Sequence, residues 1–199
     1  MPIVARSIAL SAALIACAAV ESAALAAQPA TPASTPARTP AALAVHKDLG
    51  KPPAGVTDLK FHDIFKTPVG DKGLEPSATL LALDGKRVRM VGYMVYQQPE
   101  PRGMFLLSPL PAEISDEDEP LADDLPPSVV AVEIAGAANR PVPLLPGLIR
   151  ISGVLHVGAR TDTASGRIGA VQIALDAPIA RALLGARSAP ARPAGAGAR

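Results

Sequence analysis

The side chains of this sequence that could bind a soft metal ion are three histidines and three internal methionines. His46, His62 and His156 lack the H-x-x-x-H or H-E-x-x-H spacing that places two imidazoles on one helix face. His62 and His156 can meet only if the segment before the first long strand packs on the fourth predicted strand. Such a pair could bind zinc, or copper with methionine sulfur as a further ligand.

The methionines Met90, Met94 and Met104 fall at positions where strands place core residues. This pattern favours packing over metal binding, so we predict that the protein has no cofactor and no resident metal. His62 and His156 remain the candidate ligands for an alternative function, that of a periplasmic zinc or copper carrier.

An acidic run between the second and third predicted strands is the most conspicuous polar feature. Carboxylates are ligands for Ca²⁺, but this run lacks the alternating spacing and the glycine of an EF-hand loop. A solvated loop is therefore the favoured interpretation, and we predict that it could act as an interaction loop. Its members are Asp116, Glu117, Asp118, Glu119, Asp123 and Asp124.

Motifs for nucleophilic catalysis are missing from the sequence. There is no G-x-S-x-G elbow, and the one cysteine, Cys17, lies in the N-terminal targeting segment. Ser152-Gly153 is more simply explained as a bend in a strand. A pair of catalytic carboxylates has no linear signature, so an unrecognised hydrolase stays open as a second alternative. Because the acids cluster in one loop, we predict that the protein is not an enzyme.

The charge balance argues against nucleic acid as a partner. The 199 residues carry a formal net charge of +1, and aromatic residues make up only 3% of the chain. Binding of single strands would need aromatic side chains beside a basic groove. The candidates for such a face are Tyr93, Tyr96, Arg87, Arg89, Arg150 and Arg167. We predict no nucleic-acid binding.

Residues 1–26 have the pattern of a secretory signal peptide. Arg6 precedes the apolar run Ser7–Val20, which is shorter than the roughly 20 apolar residues that a membrane-spanning helix needs. Two processing sites stay open: Ala24-Leu25-Ala26, and the lipobox-like Leu14-Ile15-Ala16-Cys17, in which Cys17 would be acylated. An uncleaved alanine-rich helix is the third interpretation. We predict export to the periplasm, as a soluble protein or with a lipid on Cys17 as its membrane anchor.

The two ends of the remaining chain differ in composition from the middle. Residues 27–45 are rich in Pro, Ala, Thr and Ser and predict a disordered linker. Residues 188–199 predict a disordered tail. A single β domain is therefore expected over residues 46–187.

The longest predicted strand follows the turn signal Asp84-Gly85 and contains Gly92 at its centre. Its first half alternates between polar and apolar residues, and its second half is apolar on both faces. Gly92 lies where the pattern changes, which predicts a bulge or a sharp bend. Gly153 interrupts the fourth predicted strand, Leu148–Val157, in the same way. We therefore predict structural roles for Gly85, Gly92 and Gly153.

The strand count favours a small closed barrel. Three further strands are predicted at Met104–Leu107, Ser128–Ala135 and Ile168–Leu175, with short helices after Ser77 and from Ala177. Five strands, two of them long and bent at glycine, predict a mainly β, OB-like barrel with short helices and disordered termini. A small β-sandwich is the alternative.

Five short motifs lie within about Val56–Asp176: Leu83-Asp84-Gly85-Lys86, Val91-Gly92-Tyr93-Met94, Phe105-Leu106-Leu107-Ser108, Asp124-Leu125-Pro126-Pro127 and Ile151-Ser152-Gly153-Val154-Leu155. Together they resemble a family of small exported bacterial proteins known only as a domain of unknown function. The resemblance implies an OB-like fold and genes placed near components of ABC-type transporters. Some relatives carry two cysteines in the loop after the second strand; that loop is acidic here, so no metal or redox role carries over.

These features together predict a non-enzymatic binding or adaptor module of the cell envelope. The expected partner is an envelope protein, and the resemblance suggests a component of an ABC-type transporter. The zinc or copper carrier and the hydrolase are the alternatives.

Overall fold

The computed structural model of the chain describes residues 38–114, 125–161 and 168–187. The predicted signal peptide with Cys17, most of the predicted linker and the predicted tail lie outside these residues. The acidic run from Asp116 to Asp124 and Arg167 also lie outside them.

Eight strands and two helices form the described part of the chain. The α1 helix begins after Ser77, whose hydroxyl accepts a hydrogen bond of 2.9 Å from the Leu80 N–H. Pro178 stands in the first turn of α2, where its missing N–H costs nothing. The elements are β1 Val56–Asp58, a 3-10 turn Phe61–Asp63, α1 Ala78–Ala82, β2 Arg87–Met94, β3 Tyr96–Gln97, β4 Met104–Ser108, β5 Glu113–Ile114, β6 Val130–Glu133, β7 Leu148–Thr161, β8 Ile168–Leu175 and α2 Ala177–Leu184.

Five of these strands close into a barrel in the order β2-β4-β6-β8-β7, with β7 pairing back to β2. Only β6 and β8 are parallel; the other four neighbouring pairs are antiparallel. The five barrel strands are the five that the sequence predicts, and the segment between β6 and β7 carries no helix. The predicted mainly β, OB-like barrel is confirmed, and the sandwich alternative is wrong.

The barrel interior is filled by alternate residues of the five strands. Val88 and Met90 of β2 and Phe105 of β4 are fully buried or nearly so. Met94 also lies in this core, whereas Met104 is only half-buried. Two of the three candidate sulfur ligands therefore serve as packing residues.

The mid-strand glycines of β2 and β7 have different surroundings. Gly153 lies where β7 changes neighbours, because it pairs with Val88 of β2 and with Leu175 of β8. The pairing of β2 with β7 runs through Gly92 without a shift of register, so the predicted bulge is not present there. A shift of register occurs instead between Val157 and Arg160 of β7.

The ordered domain begins before the predicted boundary at His46. Leu43 has no exposed surface, and its carbonyl accepts a hydrogen bond of 2.8 Å from the Arg150 N–H. Ala44 forms an antiparallel bridge with Ile149 of β7. The prediction that the whole of residues 27–45 is a disordered linker is therefore wrong at its C-terminal end, because the apolar Leu43 packs into the core. Among the described residues, no helix is long and apolar enough to cross a membrane.

Candidate functional site

A cleft of about 550 Å³ lies along the outer side of β2. One wall is the end of β1 and the 3-10 turn after it, which contribute Leu59 and Phe61. The other wall comes from Pro109, directly after β4, and Ser128, two residues before β6. Val91 of β2 lies between the two walls, and Leu49, Asp58, Lys60, His62 and Arg89 complete the lining. The cleft is thus apolar at its centre and carries its charged groups at one wall.

Arg89 is the most buried charged side chain of the described residues, with 7% of its side chain exposed. Its Nε and Nη2 donate to the two carboxylate oxygens of Asp58 at 2.5 and 2.8 Å. Its Nη1 and Nη2 also donate to the carbonyls of Leu49 and Gly50 at 2.9 and 2.8 Å. This geometry ties the segment before β1, β1 itself and β2 into one unit.

The charges at this wall differ in how far they are neutralised. Hydrogen bonds from Arg89 hold the pKa of Asp58 below its ordinary value of 3.8, against an opposing effect of burial. The exposed imidazole of His62 has its Nε2 3.3 Å from Asp63 Oδ1. Lys60 makes no ion pair with any described residue, although it lies close enough to Asp58 to lower that pKa further. Within the part of the chain that the structure describes, Lys60 is therefore a cation without an ion pair beside the apolar floor of the cleft.

The two candidate metal ligands are placed in different surroundings. His62 lines the cleft, whereas His156 is a half-buried residue of β7 that pairs with Gln172 of β8 and is not part of the cleft lining. Within residues 38–114, 125–161 and 168–187, no group of three or more His, Cys, Asp or Glu residues is arranged to hold a metal ion. His62 and His156 therefore do not line a common cleft.

A second charged cluster fastens α2 to the barrel. Asp176 accepts hydrogen bonds of 2.6 Å from both Arg87 Nη2 and Ser152 Oγ. Burial raises the pKa of Asp176, but these two hydrogen bonds outweigh it, and the pKa lies below its ordinary value. Ser152 is therefore a hydrogen-bond donor to a structural carboxylate. Two of the arginines considered for nucleic-acid binding, Arg87 and Arg89, are paired with carboxylates.

A smaller cleft of about 320 Å³ lies beside the segment that joins β2 to β4. Tyr96, Pro99 and Pro101 line it together with Val142 and Leu144. Tyr96 is half-buried here and belongs to the short parallel pair of β3 with β5. Tyr93 and Tyr96 are the two tyrosines considered for nucleic-acid binding. Tyr96 lines this cleft, whereas Tyr93 pairs with Leu148 and Ser108 within the barrel wall.

The turn at Gly85 shows why a glycine stands there. Gly85 has a φ of 72°, a conformation that residues with a side chain rarely adopt. Its N–H donates to the Leu155 carbonyl at 2.9 Å, and the preceding Asp84 accepts from the Val157 N–H at 2.9 Å. The turn is thus bonded to β7 through the glycine itself and through the residue before it.

Sequence reasoning did not find the cleft or the Arg89–Asp58 pair. The alternation of β2 predicts that Arg89 points outward, and it does, but the segment around Leu49 covers it. Asp58 and Arg89 are 31 positions apart, so no local spacing signals their contact. The parallel pairing of β1 with β2, which brings Asp58 opposite Arg89, would have been needed to predict it.

Comparison with known proteins adds one structural similarity. No family model matches the chain, and no curated protein matches it. The chain is similar to the crystal structure of a DUF3299 family protein from Pseudomonas aeruginosa PAO1, with 13% sequence identity. The similarity covers 60% of this chain and 92% of that chain, with a TM-score of 0.37. A superposition of this quality assigns neither a family nor a function to the chain.

Proposed function

We propose that the chain is a non-enzymatic binding module of the cell envelope and that its partner docks in the cleft beside β2. The supporting observation is the combination of an apolar floor with a charged wall whose one carboxylate, Asp58, is held by Arg89. A carboxylate that accepts both of its main hydrogen bonds from a buried guanidinium is a poor proton donor or acceptor. Such a cleft is suited to holding a partner. The resemblance noted above makes an ABC-type transporter component our proposed class of partner.

Photo-crosslinking tests this proposal. With a benzophenone amino acid at Leu49, which lines the cleft with 38% of its surface exposed, we expect one identified envelope protein to be captured in cells. The same group at Leu81, exposed on α1, is the matched control and should capture that protein weakly or not at all. Equal capture at both positions, or none at Leu49, would contradict the proposal.

Purified components give the quantitative test. Ser128→Tyr places a ring in the cleft and should weaken binding of the captured protein about tenfold, which corresponds to roughly 1.4 kcal/mol. Thr57→Tyr, which adds a ring of the same size at an exposed position of β1 that does not line the cleft, should leave the affinity unchanged.

Export and anchoring form a separate part of the proposal. If Cys17 is acylated, the protein should incorporate palmitate and fractionate with membranes, and Cys17→Ser should abolish both. N-terminal sequencing of the mature protein checks the result. A mature chain that begins at Ala27 would show soluble export instead, and an uncleaved Met1 would contradict export through either site.

A further inference from the structure

One edge of β2 is only partly paired with neighbouring strands. Along the other edge, β2 pairs with β7 from Arg87 to Tyr93 without interruption. Along the opposite edge, β1 pairs with residues 87–89 and β4 pairs with residues 93–94. Between them the ladder has a gap at residues 90–92, and the cleft opens at this gap, with Val91 in its lining.

Val91 turns its backbone N–H and C=O toward this gap. In a strand, the polar groups of alternate residues point to the same side. The Arg89 carbonyl accepts from Leu59 N–H at 3.0 Å, and the Val95 N–H donates to the Leu106 carbonyl at 2.9 Å, so the odd-numbered residues of β2 face β1 and β4. Lys86 bonds to β7 through Leu155, which places the even-numbered residues on the other side.

Among the described residues, neither β1 nor β4 pairs with Val91, and no backbone hydrogen bond from a turn or loop reaches its N–H or C=O. Half-buried strand groups are nearly always paired, with protein or with water. An unpaired donor and acceptor in the middle of a strand, at the floor of an apolar cleft, form a template for one residue of another extended chain.

We propose that a residue of an extended segment of the partner pairs with Val91 through its backbone and fills the gap between β1 and β4. This inference rests on the proposed function, and it names the part of the partner that the cleft binds. The side chain of the pairing residue is apolar, because Leu59, Phe61 and Pro109 surround the position. A carboxylate lies close to it in the segment, since Lys60 is a lining cation that has no ion pair with a described residue and Asp58 is already neutralised by Arg89.

Two matched pools of synthetic peptides provide the probe. Both are acetylated and amidated heptapeptides with three central residues drawn from Val, Ile, Leu and Thr; one pool has Glu on each side of the centre, the other Lys. We expect the Glu pool to shift the amide resonance of Val91 in the ¹⁵N-labelled protein and to bind about threefold more tightly than the Lys pool, as for an exposed ion pair. N-methylation of the three central amides should weaken binding about tenfold, since it removes the backbone donors.

The hydrogen-exchange rate of the Val91 amide distinguishes backbone pairing from a nonspecific apolar contact, which would not slow this amide selectively. In the free protein the Val91 amide should exchange faster than the amides of Met90 and Gly92, which face β7, and the Glu pool should slow Val91 selectively. Lys60→Gln should abolish the preference for the Glu pool, whereas Lys86→Gln, at an exposed lysine outside the cleft, should preserve it.

The outcomes separate this inference from the proposed function. If the partner is captured at Leu49 but N-methylated peptides bind as well as their parents, or the Val91 exchange rate does not change, backbone pairing is wrong and the binding module stands. If peptide binding shifts resonances outside the cleft only, the assignment of the segment to Val91 is overturned. If Leu49 captures nothing while the peptides slow Val91, the cleft binds extended chains but the envelope partner is wrong.

Discussion

Gly153→Ala is expected to lower the free energy of unfolding by about 3 kcal/mol or more, at the upper end of overpacking effects. A Cβ at this position would overlap the carbonyl oxygen of Ala174 and come within 2.7 Å of Ile173 Cγ2. The Ala174 carbonyl is backbone of β8, which is paired with β6 on one side and β7 on the other. Because β8 cannot move away from the new Cβ without breaking hydrogen bonds to β6 or β7, the clash cannot be relieved by a small shift of the backbone. Urea unfolding followed by far-UV circular dichroism measures the effect.

Two other glycines calibrate that measurement. Gly92→Ala should cost less, about 1–3 kcal/mol, because its Cβ would approach the Ser108 carbonyl oxygen only to 2.8 Å and its other two contacts, at 2.9 Å, are with side chains and not with backbone. Gly70→Ala meets nothing within 4 Å and requires no unusual φ, so it should change stability by less than about 0.5 kcal/mol. If Gly153→Ala unfolds at the same urea concentration as Gly70→Ala, the close approach of β7 to β8 does not exist.

Gly92 and Gly153 show which features of the fold can be predicted from the alternation of polar and apolar residues. The change of facing pattern around Gly92 and Gly153 is a local property, so the sequence could mark both as special points in long strands. At Gly153 that point is the change of partner strand. At Gly92 the pairing with β7 is regular, and the reason for glycine is the nearby Ser108 carbonyl, whose approach depends on how β4 meets β2. Strand positions follow from local pattern, whereas these close contacts depend on tertiary structure.

At Leu43, the amino-acid composition of the surrounding segment wrongly predicts disorder. Proline, alanine and threonine around it leave the segment with few large apolar side chains, which predicts disorder. One leucine in this context nevertheless becomes fully buried, because the bridge of Ala44 with Ile149 holds it against the core. An average over a window cannot resolve a single anchoring residue.

The candidate site could not be predicted because its walls come from separate parts of the chain. Leu49 and Phe61 precede β2, while Pro109 and Ser128 flank the connection from β4 to β6. The gap at Val91 depends on where two different strands stop along β2, and strand ends are less determined by pattern than strand centres. The alternation of β2 does place Arg89 on the outer face of the strand, but it contains no signal that joins Arg89 and His62 in one cleft.

Asp58→Ala is expected to lower the free energy of unfolding by about 3 kcal/mol, near the low end for breaking a buried ion pair. The variant leaves the guanidinium of Arg89, with 7% of its side chain exposed, without its carboxylate. The effect stays at the low end because 43% of the Asp58 side chain is exposed, so water can reach the vacated position. Glu75→Ala, which breaks the exposed pair of Lys66 Nζ and Glu75 Oε2 at 3.3 Å, is the control and should cost less than about 0.5 kcal/mol.

A double-mutant cycle and a pH series distinguish the ion pair from simple loss of contacts at Asp58. Arg89→Met with Asp58→Ala should be less destabilising than the sum of the two single changes, because the second removes the charge that the first leaves unpaired. Since Arg89 holds the pKa of Asp58 below 3.8, the pair contributes fully above that pH and its contribution disappears as the pH falls through the lower pKa of the folded protein. The stability difference between the parent and Asp58→Ala should therefore be constant from pH 7 to about pH 5 and shrink below about pH 4. A difference that is independent of pH, together with additive single changes, would mean that Arg89 is held by the Leu49 and Gly50 carbonyls and not by its carboxylate.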